Sequence, residues 1–179
     1  MAVGGAQGWK VYQKDQRESE GERFAQAEAL AVAGRPEEAG IAFAALAEDA
    51  GAGYATLARL RAAALRAKAG DANGAIAIYD GLAADTAVGD AYRDLALLLS
   101  VTHQLDSGDP TALLPLLEPL TAEDNPWHYS ALELTALLAE RAGDRARARE
   151  IFARLSDDPE APAGLRARAR EMLAYLGEG

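Results

Sequence analysis

Apolar positions in this chain return at helical spacings of three and four. A longer period overlies the first. Several glycines each follow an apolar helical stretch, and reading forward five, nine and twelve residues from them meets the same kinds of side chain. Gly34 leads to Ala39, Phe43 and Leu46; Gly70 to Ala75, Tyr79 and Leu82; Gly143 to Ala148, Phe152 and Leu155. A weaker copy runs from Gly108 to Leu113, Leu117 and Leu120. The glycines stand 36, 38 and 35 residues apart, a period that belongs to helical-repeat proteins.

Each copy has a physical logic. The glycine permits the tight turn that ends one helix, and Asp71, Asp109 and Asp144 directly after it can cap the next. Pro36 and Pro110 suit a first helical turn, where a missing N–H costs nothing. The small residue at plus five lets two helices approach, and the larger residues at plus nine and plus twelve fill the space between them. One such hairpin cannot bury its apolar face alone, so neighbours must stack. The pattern predicts helices over 9–33 and 36–49, 54–69 and 71–84, 88–105 and 110–120, and 126–142 and 144–155. Pro115 should kink or shorten the sixth of these. A last helix over 162–176, apolar at Leu165, Ala169, Met172, Leu173 and Leu176, would cap the open end. The expected fold is therefore all-α: a helical-repeat solenoid of about four hairpins plus a C-terminal capping helix.

Composition agrees with the pattern. The 179 residues include 43 alanines and 24 leucines against 9 valines and isoleucines together, which favours helix over strand. Half the residues are apolar, too many for a disordered chain. Cysteine is absent, which removes disulfides, thiolate metal sites and cysteine nucleophiles together. A net charge of −10 argues against nucleic acid as the main partner, because neutralising phosphates needs an excess of Lys and Arg. That charge is uneven: the stretch from Arg141 to Arg170 carries +3 and the remainder −13. The basic stretch reads either as a solvated helical face with internal ion pairs or as an orienting patch for an acidic partner or lipid surface.

Residues 1–13 stand apart from the repeat region, 14–179. They are small and apolar and then place Trp9 and Tyr12 beside Lys10, as at the exit end of a membrane-spanning helix. They are too short to span and lack the basic start and cleavage site of a signal peptide. Two readings stand: an upstream membrane helix missing from this chain, or an ordinary frayed terminus.

The spacing from the turn glycines resembles the second helix of the tetratricopeptide repeat, over roughly residues 26–155. The wider organisation resembles the YfgM-like family, the ancillary subunit of the SecYEG translocon. The stretch Asn125-Pro-Trp-His-Tyr-Ser-Ala-Leu-Glu-Leu and the following Ala142-Gly-Asp are similar to that family's fourth-repeat signature, and Gly34-Arg-Pro-Glu-Glu-Ala to its first. The resemblance implies a periplasmic repeat domain on a single N-terminal inner-membrane helix, in contact with translocon subunits, periplasmic chaperones or their substrates.

Carrying the tetratricopeptide groove positions over by offset from the turn glycine reaches Phe24, Leu57, Leu60, Leu95, Leu98, Thr102 and Glu133. These are apolar where repeats that grip acidic tails present lysine, arginine and asparagine. They read either as a groove for hydrophobic or amphipathic segments or as core leucines of a closed array, the second being the commoner role for leucine at helical spacing. Trp127, beside Pro126 at an expected helix start, reads as core packing or as a partly exposed interface anchor. Apolar stripes on helical arrays also pair with copies of themselves, which leaves a homodimer open.

Candidate chemistry is sparse. His103 and His128 fall on different predicted helices without metal-ligand spacing, the five serines include no nucleophile elbow, and Gly51-Ala-Gly53 lacks the strand and third glycine of a dinucleotide loop. No cofactor or metal is expected, and the chain reads as a non-enzyme. Its expected function is a protein–protein interaction module, either anchored at the membrane beside the translocon or chaperone network, or a soluble scaffold or assembly adaptor without a membrane link.

Overall fold

The computed structural model of the chain describes residues 3–177, with side chains from residue 13 onward. The membrane-exit reading of residues 1–13, carried by Trp9 and Tyr12, therefore falls on side chains outside the described residues. The described elements are α1 (Val3–Val32), α2 (Pro36–Asp49), α3 (Ala52–Lys68), α4 (Ala72–Ala84), α5 (Asp90–Gln104), α6 (Pro110–Leu117), α7 (His128–Arg141), α8 (Arg145–Asp157) and α9 (Ala163–Gly177), with a 3-10 turn, Glu118–Thr121, between α6 and α7. They are all helical, as the repeat pattern requires. The chain divides into two compact units, Met1–Val88 with α1 to α4 and Gly89–Gly179 with α5 to α9.

The turn glycines explain the hairpins. Gly34, Gly70 and Gly143 take φ of 75°, 87° and 84°, a left-handed conformation that side chains resist. At each of them the next residue donates its N–H five residues back: Arg35 to Leu30 (3.0 Å), Asp71 to Arg66 (2.9 Å) and Asp144 to Ala139 (2.8 Å). Three Schellman turns thus close three first helices and satisfy carbonyls that would otherwise lack partners. The weak copy at Gly108 is built differently. Its glycine is needed for space, since a Cβ there would lie 2.7 Å from the Leu113 side chain and 3.0 Å from the Gln104 carbonyl oxygen.

The aspartates open the second helices. Asp71 accepts from the Gly74 N–H at 2.9 Å, Asp144 from Arg147 at 3.0 Å and Asp109 from Thr111 at 2.9 Å. In the first copy Arg35 holds that place, gives no side-chain cap, and pairs with Glu38 instead. Replacing Asp144 by alanine is expected to cost about 0.5–2 kcal/mol, read as a lower denaturant midpoint, while Arg35→Ala leaves that midpoint essentially unchanged.

The predicted core positions are buried. Ala39, Ala75 and Ala148 have no exposed surface, and Phe43, Tyr79 and Phe152 are 2% exposed or less. In unit 1, Phe43 and Leu46 pack with Ala27 of α1 and Ala58 of α3. In unit 2 one set joins Leu98, Val101, Leu113, Leu117, Leu120 and Leu138. A second joins Phe152 and Leu155 to Leu165, Ala169 and Leu176 of α9, which covers the last hairpin as a cap.

Three boundaries differ from expectation. The first helix, expected from Trp9, already runs from Val3. Pro115 and Pro119 shorten the sixth helix to eight residues, after which the chain tightens into the 3-10 turn and still buries Leu120. The helix expected from Pro126 opens at His128. Asn125 accepts from the Trp127 N–H at 2.8 Å and donates to Asp94 at 2.8 Å, so the segment is held in an Asx turn and tied to α5 before the helix begins.

The long first helix folds onto its hairpin from residue 20 onward. Glu20, 6% exposed, accepts from the Gly51 N–H at 2.9 Å and so caps the start of α3. Gly21 lets Tyr54 approach to where a Cβ would sit 2.7 Å from its hydroxyl. Arg61 grips Glu28 with two hydrogen bonds. Residues 13–19 of the same helix are exposed, apart from buried Glu20 beyond them. Among the described residues no helix is long and apolar enough to cross a membrane.

Candidate functional site

The sequence-predicted groove residues divide between the two units. In unit 1 Phe24 is half-buried and meets Phe43 edge-to-face, ring centroids 5.3 Å apart, while Leu57 and Leu60 lie half-buried on α3. In unit 2 Leu98 is core, Leu95 is half-buried, and Thr102 is exposed with its hydroxyl donating to the Leu98 carbonyl at 2.8 Å. Glu133 is held by both arms of Arg168, at 2.7 and 2.8 Å. Trp127 packs against the Leu117 core and its indole N–H donates to the Ala91 carbonyl at 3.1 Å.

The basic stretch has its own arrangement. Arg141 donates to the Leu105 and Gly108 carbonyls, Arg149 to Leu176, Arg166 to Pro159 and Ala161, and Arg170 to Ser156. These arginines act largely as clasps on carbonyls near helix ends, where a cation also suits the helix dipole.

An open, mostly apolar cleft of 930 Å³ lies elsewhere, in unit 1. Its walls are α2 and α4 and its floor is α3. Gly40, Ala44 and Ala47 form one wall, Ala77, Ile78 and Gly81 the other, and Ala62, Leu65 and Ala69 the floor. Ile41 stands at the lip, 72% exposed. Glu37 and Glu48 edge the α2 wall, and Arg59 and Arg66 rise from α3. Arg59 pairs with Asp85 at 2.9 Å and Arg66 with Asp71 at 3.3 Å. The Arg59 guanidinium, and after it the Ala87 N–H, hold the Asp85 carboxyl below its usual range.

The repeat itself provides the comparison that gives this cleft meaning. The same offsets in unit 2 bring together Leu114, Pro115, Glu118 and Thr121 of the third copy with Arg147, Glu150, Ile151 and Arg154 of the fourth, over Leu132 and Thr135. There the space shrinks to 400 Å³. Glu150 stands where unit 1 has Ala77, and Arg154 where it has Gly81. The fold makes a crease at this place in both units; small residues open it in only one.

Sequence reasoning did not single out this cleft. The available signal was two glycines inside second helices, Gly40 and Gly81, where helix propensity argues against glycine. A Cβ at Gly40 would meet nothing within 4 Å, and one at Gly81 only the Arg59 guanidinium at 3.5 Å. Gly40→Ala and Gly81→Ala are therefore each expected to stabilise the chain, by about 0.5–1 kcal/mol, measured as a raised denaturant midpoint. Neither glycine is required by its backbone, so both are explained better by the space they leave.

Among the described residues no three His, Cys, Asp or Glu side chains are grouped to hold a metal ion. A family model described as the tetratricopeptide repeat-like domain matches residues 1–168. No curated protein and no solved structure matches the chain significantly.

Proposed function

The chain belongs to the tetratricopeptide repeat-like family, whose domains serve as protein-interaction modules, and on that premise we propose that it is a non-enzymatic binding module that receives a partner helix in the cleft of unit 1. The observation that carries this reading is the contrast between equivalent places in the two units: 930 Å³ where Gly40, Ala44, Ala77 and Gly81 leave space, against 400 Å³ where Leu114, Glu118, Glu150 and Arg154 fill it. A crease between parallel second helices, with an exposed isoleucine at its lip, has the form used for helix-in-groove recognition. The occupant is an amphipathic helix with an apolar ridge for Ala44, Ala62 and Ile78. Its flanks are charged, basic toward Glu37 and Glu48, acidic toward Arg59 and Arg66.

The resemblance of Asn125-Pro-Trp-His-Tyr and Gly34-Arg-Pro-Glu-Glu-Ala to the YfgM-like family extends the proposal to a setting. In it the repeats are the periplasmic part of a single-pass inner-membrane protein, and the partner helix belongs to a translocon subunit, a periplasmic chaperone or its substrate. A soluble scaffold without a membrane link is the competing setting, and the reading frame upstream of Met1 separates the two. A photo-cross-linking residue at Ile78, compared with one at Ile151 in the equivalent crease, tests both site and partner in cells. A translocon subunit or periplasmic chaperone trapped from position 78 and not from 151 is the expected result. Trapping from both positions alike sinks the assignment of the site, and trapping of neither class sinks the setting.

A further inference from the structure

The charges that border the cleft of unit 1 differ in whether they already have partners. Its two walls carry no lysine or arginine: the charged residues of α2 are Glu37, Glu38, Glu48 and Asp49, and α4 has Asp80 alone. Glu38 pairs with Arg35 and Asp49 with Arg23, and neither lines the cleft. Glu37 and Glu48 do line it, and among the described residues neither has an ion pair. They stand eleven residues apart, so about three helical turns return them to nearly the same side of α2, about 16 Å from each other.

The bases lie on the floor and are served from within unit 1. Arg59 pairs with Asp85 and Arg66 with Asp71, the residues that flank α4 at its two ends. Each of those carboxylates is also held by backbone, Asp85 accepting from the Ala87 N–H at 3.0 Å and Asp71 from the Gly74 N–H at 2.9 Å. An acidic residue on an incoming helix therefore exchanges for a carboxylate already in place, and adds fit with little preference. A basic residue meets Glu37 or Glu48, whose charge nothing in the cleft has answered, and an excess of one sign selects its opposite. The crease of unit 2 differs in this respect as well as in space. Its α8 wall sets Arg147 and Arg154 seven residues apart, and among the described residues neither is paired with a carboxylate.

We propose that the cleft of unit 1 selects a cationic partner: an amphipathic helix whose apolar ridge is bordered by two lysines or arginines about eleven residues apart, set against Glu37 and Glu48. This rests on the reading of the cleft as a helix-binding site, and adds the sign of the charge that the site selects.

Fluorescence anisotropy of the full chain with two synthetic amphipathic peptides of about five helical turns tests it, at low and then raised salt. The peptides share one ridge of alanine and leucine and differ only in carrying lysine or glutamate at the two bordering positions. The wild type should bind the lysine peptide at least about tenfold more tightly at low salt, and raised salt should narrow the gap. Glu37→Gln with Glu48→Gln should cut that preference at least about fivefold. Glu38→Gln with Asp49→Asn removes the same charge from the same helix outside the cleft, and should leave the preference within about twofold. Gly81→Leu fills the cleft without changing charge and should weaken the binding of both peptides. Circular dichroism and the melting temperature establish that each variant is folded.

Equal binding of the two peptides, tighter binding of the glutamate peptide, or a preference lost as fully in the Glu38 and Asp49 variant overturns the charge selection. The cleft reading survives those results wherever Gly81→Leu still weakens binding. Affinities that Gly81→Leu leaves unchanged, or no binding of either peptide, bring down the cleft reading and this inference with it.

Discussion

Phe152→Ala is expected to destabilise unit 2 by about 3–5 kcal/mol, the largest stability loss we anticipate for a single truncation in this chain. Phe152 is 1% exposed and belongs to one core with Leu132, Ala136 and Ala139 of α7, Ala148 and Leu155 of α8, and Leu165 and Ala169 of the capping helix α9. Removing it leaves a cavity that three helices would have to move together to fill, and interiors packed this closely relax only in part. Phe152→Leu keeps most of the volume and should cost about 1–2 kcal/mol. Chemical denaturation followed by Trp127 fluorescence, in a Trp9→Phe background, reads unit 2 locally. A loss below about 1 kcal/mol for the alanine variant would contradict the plus-nine residue as the centre of each hairpin. The same reasoning covers Phe43 and Tyr79, which occupy that offset in unit 1.

Trp127→Ala is expected to cost about 2–4 kcal/mol. Its half-buried indole packs on the Leu117 core, and its N–H reaches the Ala91 carbonyl in the first turn of α5. With Asn125 bonded to Asp94, it ties the segment before α7 to α5 at two neighbouring points. Trp127→Phe keeps most of the apolar contact and loses the hydrogen bond, for about 1 kcal/mol. The two variants separate the roles that the sequence left open. An interface anchor would lose partner binding while unfolding shifts by no more than about 0.5 kcal/mol; a packing residue would do the reverse. Urea unfolding followed by circular dichroism decides between them, and near-native stability of the alanine variant would return Trp127 to the interface reading.

The groove positions Phe24, Leu57, Leu60, Leu95, Leu98, Thr102 and Glu133 were reached by carrying a repeat's offsets onto first helices. Offsets say which way a side chain points from its own axis, but not what neighbouring elements cover. Leu98 points into the unit 2 core because α6 and α7 bring Leu113, Leu117 and Leu134 to it, and Glu133 is occupied because α9, thirty-five residues on, supplies Arg168. Those partners are set by packing between elements distant along the chain. The cleft was overlooked for a related reason. Gly40 and Gly81 are informative only when it is known that α2 and α4 flank α3 with an open crease between them.

What the sequence alone determined is what lies within one repeat. The left-handed turns at Gly34, Gly70 and Gly143, the caps at Asp71 and Asp144, and the buried residues at plus five, nine and twelve all follow from interactions spanning a dozen residues or so, where backbone sterics and helical periodicity settle the outcome. Only the tertiary structure decided where apolar surface is left uncovered. That depends on side-chain volume contributed jointly by three helices, and a missing side chain at Gly81 or a present one at Arg154 acts only through the space that its neighbours leave. Local rules built the hairpins; shared volume made one crease an open cleft and filled its counterpart.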